Sequence, residues 1–318
     1  MMALESNEQE FVFVEKYRPE KVGSCILPVE IKGVFQQFVD KGEVLNMLFT
    51  GPPGVGKTTV ARALCNELGL EYLMINASKD GNIDTLRTTI KQFASTHSLT
   101  GDKKVVILDE ADYLNAESTQ PALRGFIEEY SDNCRFIMTC NYPAKILKEL
   151  KSRLELIEFK IPKDERPILA KEFYSRVVSI LTNEGIEYDK KVVQQLVMKH
   201  FPDFRKTLNS LQRYGMSGVI DAGILVGPGE KSFAELITAL KGKDFNAMRS
   251  WVAENLDQDA PSLIRWLYDN GRDHVQEGSL PEMVVILSDY MYKHAFVADP
   301  EVNMVAMLVE LSSVLEYK

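Results

Sequence analysis

GPPGVGKT, at residues 51–58, is the most informative stretch of this 318-residue sequence. It follows an apolar run, NMLFT (46–50), and precedes a helical pattern, VARALCNEL (60–68). Its glycines allow the backbone N–H groups to curl toward an anion, and Lys57 and Thr58 add an ammonium and a hydroxyl group. The stretch fits the pattern G-x-x-x-x-G-K-[ST] between a strand and a helix, which predicts a phosphate-binding P-loop.

Two acidic residues end a later apolar run, VVILDEAD (105–112). After a P-loop, such a pair predicts a Walker B motif, in which Asp109 holds Mg²⁺ together with Thr58 and Glu110 polarises the attacking water. A further strand ends at Asn141, and the carboxyl ends of parallel strands converge on one crevice. Asn141 is therefore expected to reach the γ-phosphate or its water, although an asparagine after a strand is also a common turn residue. These motifs predict hydrolysis of a nucleotide with Mg²⁺.

Short apolar runs alternate with helical patterns in the first half of the chain, which is typical of a parallel α/β sheet. Each run is unbroken, as in strands that are buried on both faces. The predicted strands are 46–50, 71–76, 104–109, 135–140 and 154–159. We therefore expect an α/β fold with a five-stranded parallel sheet.

The strand signals end after residue 160, and a helical pattern takes their place. The apolar residues that repeat at helical spacing are Ile168, Leu169, Phe173, Val177, Ile180 and Leu181. Residues 190–215 predict two further helices interrupted at Pro202, and the Gly- and Pro-containing stretch 221–230 predicts a linker. The predicted domains are a nucleotide-binding domain at 1–160, a small helical domain at 161–230 and an all-helical domain at 231–318.

The composition, with 45% hydrophobic and 26% charged residues, excludes disordered, collagen-like and disulfide-rich classes of protein. No apolar run approaches the ~18 residues of a membrane span, and the acidic N-terminus does not resemble a signal peptide. We therefore expect a cytoplasmic protein without membrane partners. The four cysteines and four histidines show no zinc-like spacing, which favours reduced, structural side chains.

A series of short segments extends the pattern along the chain: EKYRP (15–19), NAS (76–78) followed by Ile83-Asp84, QPALR (120–124), TCN (139–141), KSR (151–153) and PDFRK (202–206). With the P-loop and DEAD (109–112), this series resembles the clamp-loader ATPases of the AAA+ superfamily, in particular the small subunits of replication factor C. The resemblance covers about the first 225 residues. FPDFRKT (201–207), DAGIL (221–225) and the total length are more similar still to the large clamp-loader subunits of T-even-like bacteriophages.

The resemblance implies a role for Asn141 and for two arginines. Asn141 would be sensor 1, Arg205 the sensor 2 arginine of a lid domain, and Arg153 an arginine finger that acts in trans on a neighbouring subunit. The family motif Ser-Arg-Cys ends in Leu154 here. Because the finger acts electrostatically, we expect no consequence from the missing cysteine. On spacing alone, both arginines are ordinary surface residues.

The resemblance also implies which residues bind ATP. Those around the adenine would be Tyr17, Arg18, Pro19, Ile26 and Leu27. Those around the phosphates would be Gly51, Pro52, Pro53, Gly54, Val55, Gly56, Lys57, Thr58 and Thr59, with Asn141 and Arg205 completing the site. Residues 161–230 would form the lid, and residues 231–318 a collar that joins subunits.

The implied function is the loading of a ring-shaped sliding clamp during DNA replication. Copies of this chain and a second, smaller subunit would form a ring-like spiral with ATP bound between subunits. The ATP-bound assembly would hold the clamp open, accept primer–template DNA and release the closed clamp on hydrolysis. The ATPase would accordingly be stimulated by clamp and DNA, and a phage protein of this kind would act in the cytoplasm of its bacterial host.

The candidate DNA phosphate contacts are Lys79, Arg87, Lys91 and Arg124. Arg87 and Lys91 lie opposite an apolar helical stripe formed by Ile83, Leu86, Ile90 and Phe93. A solvated helix face explains these charges equally well. Candidate clamp contacts are Phe93, His97 and Leu99, although core packing is the better explanation for Phe93.

The net charge of −9 is unusual for a protein that binds nucleic acid. Residues 231–318 hold 8 basic and 14 acidic residues, which is two thirds of the excess acid. We therefore expect DNA to face the other two domains, held by a few basic positions that are repeated around an oligomer.

Other function classes fit part of the sequence. A DEAD-box helicase would need a second domain of alternating strands and helices, which we do not find after residue 160. Another AAA+ machine, such as a helicase loader or a branch-migration motor, shares the ATPase motifs and stays open. A largely structural clamp-loader subunit also stays open, but such a subunit is expected to have lost Lys57, Asp109, Glu110 or Arg153, and all four are present.

Overall fold

The structure is a computed structural model and describes residues 11–80, 83–96, 103–216, 218–221, 224, 230–255, 260–294 and 296–318. The chain divides into two compact units, residues 1–225 and 226–318. The boundary that we proposed at residues 160/161 lies inside the first unit. Two apolar cores lie within residues 22–159, and a third combines residues from 169 onward with Phe13, Tyr17 and Ile26.

In the described part of the first unit, five parallel strands form one sheet in the order β2-β3-β4-β1-β5. The strands are β1 (Met47–Thr50), β2 (Tyr72–Asn76), β3 (Lys104–Asp109), β4 (Cys134–Cys140) and β5 (Glu155–Glu158). The predicted five-stranded parallel sheet is confirmed, and each strand end differs by at most one residue from its predicted position.

The sheet is covered on both faces, which explains why its strands read as unbroken apolar runs. Successive side chains point to opposite faces of a strand. On β3, Val105 and Ile107 accordingly belong to one core, whereas Val106 and Leu108 belong to the other. The helices of this region are α1 (Phe13–Lys16), α2 (Val29–Lys41), α3 (Lys57–Glu67), α4 (Ala77–Asp80), α5 (Ile83–Ala94), α6 (Thr119–Glu129) and α7 (Lys148–Lys151).

The rest of the first unit is mainly helical, with α8 (Arg166–Asn183), α9 (Lys190–His200) and α10 (Phe204–Gly215). Its core takes in Phe13, Tyr17 and Ile26 from the N-terminal segment. Two expectations are corrected here. The two-residue strands β6 (Glu187–Tyr188) and β7 (Val219–Ile220) pair in parallel after residue 160. Ile168, which fits the apolar helical repeat, is 68% exposed, because it lies on the face of α8 turned away from that core.

The second unit contains the helices α11 (Glu230–Gly242), α12 (Phe245–Glu254), α13 (Ala260–His274), α14 (Leu280–His294) and α15 (Pro300–Val314). They pack around a single described core that includes the predicted residues Leu236, Leu240, Met248, Trp251, Leu263 and Leu267. Trp266 is partly buried and stacks on Phe233, with ring centroids 4.3 Å apart. Within the described ranges, no helix of either unit has the length and apolar character that a membrane span requires.

Candidate nucleotide-binding site

The P-loop ends where α3 begins, and its lysine is held inside the loop. Lys57 is only 7% exposed. Its Nζ donates hydrogen bonds to the carbonyl oxygens of Gly51 and Pro52 and to Oδ1 of Asn141, each at 2.8 Å. Burial lowers the pKa of Lys57 from its usual value. The ammonium is thus a poorly hydrated cation that has exchanged water for loop and strand acceptors, as a phosphate-binding lysine requires.

Two P-loop glycines have positive φ and lie against other segments. Gly51 (φ +147°) faces Phe159 after β5, whose carbonyl oxygen would be 2.9 Å from a β-carbon at this position. Gly54 (φ +77°) faces Asp203 at the start of α10. The backbone N–H of Phe204 donates to the carbonyl of Gly54 at 3.1 Å. The lid region therefore contacts the P-loop directly, through backbone as well as side chains.

The end of β3 brings the metal-ligand candidates together. Thr58 Oγ1 and Thr139 Oγ1 both donate to Oδ1 of Asp109, each at 2.6 Å. A hydroxyl and a carboxylate are the hard oxygen ligands that Mg²⁺ prefers, and Mg²⁺ usually takes few protein ligands because it keeps waters and phosphate oxygens. Thr58 and Asp109 therefore fit a Mg²⁺ ion that accompanies a nucleotide.

Glu110 follows Asp109 with left-handed backbone angles, φ 57° and ψ 42°. A non-glycine residue in this region costs about 1–3 kcal/mol, and such residues cluster at functional sites. The backbone N–H of Glu110 donates to Thr139 Oγ1 at 3.2 Å, which holds this turn against the end of β4. Thr139 thus contacts both Asp109 and Glu110. Nothing in the sequence around Thr139 predicted this role.

A cavity of about 170 Å³ opens at the carboxyl ends of the strands. The predicted residues that line it are Tyr17, Arg18, Pro19, Ile26, Leu27, Pro53, Gly54, Val55, Gly56, Lys57, Thr58, Thr59, Asp109, Glu110, Asn141 and Arg205. Gly51 and Pro52 do not line it but anchor Lys57 through their carbonyl oxygens. One part of the wall is apolar and another carries cations and backbone N–H groups, which fits a purine base and its phosphates.

Several lining residues had no sequence signal. Phe173, Arg176 and Leu208 reach the cavity from α8 and α10, and Cys25 and Cys140 contribute buried thiols. Arg176 also donates to the backbone carbonyl of Ser24. These residues are contributed by separate segments of the chain, so only the packing of the lid region against the sheet shows that they meet.

Arg18 is held in a charged cluster beside the P-loop. Its guanidinium pairs with Glu15 and donates to Thr59 Oγ1 at 3.1 Å. Arg62 lies 3.6 Å from the same Glu15 carboxylate. Desolvation raises the pKa of Glu15, but the hydrogen bond and charge of Arg18 outweigh it, so the pKa of Glu15 lies below its usual value. The N-terminal segment is thereby tied to α3 by charge.

Arg153 lies outside the cavity of its own chain. It precedes β5, at the amino end of a strand whose carboxyl end faces the P-loop. Its guanidinium contacts Glu128 Oε1 at 2.6 Å through Nη2 and donates from Nη1 to the carbonyl of Glu149 at 2.7 Å. The structure therefore separates this predicted site residue from Lys57 and Asn141.

The candidate DNA contacts Lys79, Arg87, Lys91 and Arg124 are all exposed. On α5, Leu86 and Ile90 are buried while Arg87 and Lys91 face away, as the helical stripe predicted. Of the candidate clamp contacts, Phe93 is partly buried against the sheet core with the Lys104 ammonium 4.8 Å from its ring centroid. His97 and Leu99 lie outside the described residues.

Two known families match the first unit from residue 47 onward. Residues 47–162 match the ATPase family associated with various cellular activities (AAA). Residues 165–226 match the family described as sliding-clamp-loader large subunit, AAA+ ATPase lid domain. The first match contains the P-loop, both acids and Asn141, and the second contains Arg205.

Curated relatives extend over nearly the full chain. The sliding-clamp-loader large subunit of Escherichia phage RB69 is 37% identical, covering 98% of this chain and 99% of the relative. That of Enterobacteria phage T4 is 36% identical with the same coverage. The replication factor C small subunit of Saccharolobus solfataricus is 34% identical, covering 96% of this chain and 95% of the relative.

Among solved structures, the RuvB Holliday junction branch migration motor of Thermotoga maritima has a similar fold, with a TM-score of 0.54. It is 17% identical and covers 74% of this chain and 84% of that one. At this identity the likeness concerns the fold alone, whereas the sequence relatives share most of their length with this chain. The chain therefore belongs to the AAA+ clamp-loader ATPases, the family of the sliding-clamp-loader large subunits and the replication factor C small subunits.

Proposed function

We propose that this chain is the large subunit of a sliding-clamp loader, which uses ATP to place a ring-shaped clamp on primer–template DNA during replication. The observation that carries the proposal is the match to sliding-clamp-loader large subunits over 98% of the chain. The lid match at residues 165–226 supports it independently of the ATPase motifs that all AAA+ proteins share.

Hydrolysis would take place at the strand ends of the cavity. Thr58 and Asp109 would hold Mg²⁺, which offsets the charge of the phosphates when bound. Glu110 would accept a proton from the attacking water as general base. Asn141 would orient that water or a γ-phosphate oxygen, and its bond to Lys57 already places these two side chains together. The apolar residues Phe173 and Leu208 of the lid region would exclude bulk water from the reaction.

The position of Arg153 supports its action in trans. The cavity lies at the carboxyl ends of the strands and Arg153 at the amino end of β5, so a chain does not supply this arginine to its own nucleotide. A neighbouring copy would provide it, and the active geometry would exist only in the assembly. Hydrolysis would then report that the subunits, the clamp and DNA are correctly placed.

The proposed partners are further copies of this chain, a second and smaller clamp-loader subunit, the sliding clamp and primer–template DNA. The second unit, which carries most of the excess negative charge, would serve as the collar. The exposed cations Lys79, Arg87, Lys91 and Arg124 would meet DNA phosphates. The assembly would act in the cytoplasm of a bacterial host.

Two alternatives predict different behaviour. A structural subunit would not hydrolyse ATP, and the bonded arrangement of Lys57, Asn141, Thr58 and Asp109 argues against it. A branch-migration motor or helicase loader would hydrolyse ATP but respond to other partners. The fold likeness to the branch-migration motor does not favour that function, because at 17% identity it reflects the shared architecture.

ATP turnover by the chain co-expressed with its smaller subunit tests the proposal. We expect strong stimulation by clamp and primed DNA together and little by either alone. Glu110→Gln should abolish turnover and retain ATP binding, whereas Glu117→Gln, an exposed acid nearby, should change neither. No turnover under any condition would indicate a structural subunit. Turnover that responds to branched DNA or a helicase, and not to the clamp, would indicate another AAA+ machine.

A further inference from the structure

The last acid of the DEAD sequence has no part in the hydrolysis described above. Asp112 lies in the 3-10 turn Ala111–Tyr113, directly after Glu110, and is only 4% exposed. A carboxylate removed from water is destabilising unless hydrogen bonds or opposite charges compensate it. A residue selected for packing alone would be apolar in this position, so the acid requires another explanation.

The two oxygens of Asp112 have different surroundings. Oδ2 accepts a hydrogen bond from the backbone N–H of Tyr142 at 3.3 Å. Oδ1 is enclosed, and no donor within the described ranges reaches it. The negative charge also acts on Lys57, where it opposes the lowering of the lysine pKa by burial. Asp112 is thus linked to the residue that follows Asn141 and to the lysine that Asn141 binds.

Two links of the same kind join the ends of β3 and β4. Thr139 Oγ1 accepts from the backbone N–H of Glu110, and Asp112 Oδ2 accepts from the backbone N–H of Tyr142. The first link is made by Glu110 itself and the second by Asp112, two residues later. Together they connect the turn that carries Glu110 to the segment that carries Asn141.

We propose that Asp112 is a positioning residue that holds Asn141 at a fixed distance from Glu110 through the backbone of Tyr142. The inference rests on the proposed hydrolytic function. Glu110 and Asn141 must act on the same water or phosphate oxygen, and both follow strand ends where the sheet hydrogen bonds have stopped. A misplacement of about 1 Å in such a pair can cost about 10²-fold in rate. Beyond the ends of β3 and β4, the hydrogen bond from the Tyr142 N–H to Asp112 takes the place of the hydrogen bonds between strands.

Three substitutions separate positioning from packing. Asp112→Ala and Asp112→Leu both remove the acceptor for Tyr142, one leaving a cavity and the other filling it. Asp112→Asn keeps an oxygen acceptor of the same size. We expect turnover of the assembled complex to fall about 10- to 100-fold for the first two, with the Kd for ATP unchanged. Asp112→Asn should stay within about threefold of the original protein, because the backbone link is kept.

A double-mutant cycle with Asn141→Ala gives the decisive readout. If Asp112 acts through Asn141, Asp112→Ala should cost less than about threefold once Asn141 is gone. The control is Leu114→Ala, a buried apolar truncation at the end of the same turn that leaves Asp112 and Tyr142 in place. Leu114→Ala should lower turnover by the same factor in the original protein and in the Asn141→Ala variant.

The outcomes distinguish this inference from the proposed function. If Glu110→Gln and Asn141→Ala leave turnover unchanged, the hydrolytic assignment itself is wrong. If these two variants lose turnover but Asp112→Ala and Asp112→Leu do not, the positioning role of Asp112 is overturned. An equal cost of Asp112→Ala in both backgrounds, or a parallel loss of ATP affinity, overturns it as well.

Discussion

Arg153 forms a salt bridge with Glu128 at the amino ends of the strands, whereas the P-loop lies at their carboxyl ends; Nη2 and Oε1 are 2.6 Å apart. The side chains are 31% and 60% exposed, and an ion pair of this kind contributes about 0–1 kcal/mol. Such a pair can orient the guanidinium, but it is too weak to keep it from a phosphate on a neighbouring subunit. The arrangement fits an arginine that is presented at the surface of one chain for use by another.

Replacement of Arg153 should therefore lower the ATP turnover of the assembly without changing ATP binding by the single chain. Arg153→Ala is expected to lower clamp- and DNA-stimulated turnover by about 10³-fold or more, because an arginine supplied in trans stabilises the charge of the transition state. ATP binding, measured by titration of the variant, should be retained. Lys148→Ala, an exposed cation on the neighbouring helix α7, is the control. Unchanged stimulated turnover in the Arg153 variant would refute the assignment.

Alanine substitutions at two P-loop glycines, Gly54 and Gly56, test the contact between the lid region and the P-loop. Gly54 and Gly56 both have positive φ, but only at Gly54 would a β-carbon meet another segment, 1.9 Å from Oδ1 of Asp203. Asp203 cannot move away cheaply, since its side chain caps α10 by accepting from the N–H of Lys206. We expect Gly54→Ala to cost about 1 kcal/mol more free energy of unfolding than Gly56→Ala, measured in urea without nucleotide.

A double variant provides the check on that explanation. In combination with Asp203→Ala, the extra cost of Gly54→Ala should disappear, because the contacting carboxylate is gone. Equal losses for the two glycine variants, or an extra cost that persists without Asp203, would mean that the close approach of lid and loop does not limit this position.

Burial makes the four thiols slow to react. It raises the pKa of Cys25 and Cys65 to about 12 and that of Cys134 and Cys140 to about 11. At pH 8, native thiol labelling should be about 10²-fold slower than labelling in guanidinium chloride, because the thiolate is the nucleophile. Rapid labelling of the native chain would contradict the burial of these residues.

The same shifts predict how stability depends on pH. The thiols bind their protons more tightly in the folded chain, so their contribution to stability is complete below the unfolded pKa of about 8.5 and is lost as pH rises toward 11–12. The urea midpoint should thus be lower at pH 10 than at pH 7.5. A Cys25→Ser variant should lose part of this difference, and an unchanged midpoint would contradict the prediction.

Binding of DNA should depend on the exposed face of α5. If Arg87 and Lys91 contact phosphates, each alanine variant should reduce the slope of log K against log salt by about 1, because one counterion fewer is released. Lys41→Ala, an exposed cation at the end of α2, is the control. Slopes equal to that of the original protein would assign Arg87 and Lys91 to a solvated helix face.

The P-loop and the five strands were predictable, because each is encoded by residues close together in the chain. The glycine spacing of the P-loop requires a tight turn, and unbroken apolar runs require strands buried on both faces. These patterns predicted the five strands within one residue, placed Asp109 and Asn141 at the ends of β3 and β4, and placed Lys57 at the end of the loop that follows β1. The exposure of Ile168 was not predicted, because helical periodicity does not show which face another segment covers. The pairing of β6 with β7 was not predicted, because strands of two residues are too short to show an alternating pattern.

Residues close together in the chain specify the P-loop, the Walker B acids and the strands that carry them. The contacts of Lys57 with Asn141 and of Asp112 with Tyr142, and the separation of Arg153 from its own cavity, arise only when the chain folds. These contacts join residues that lie far apart along the chain, and their distances depend on strand order and register, which local periodicity does not encode.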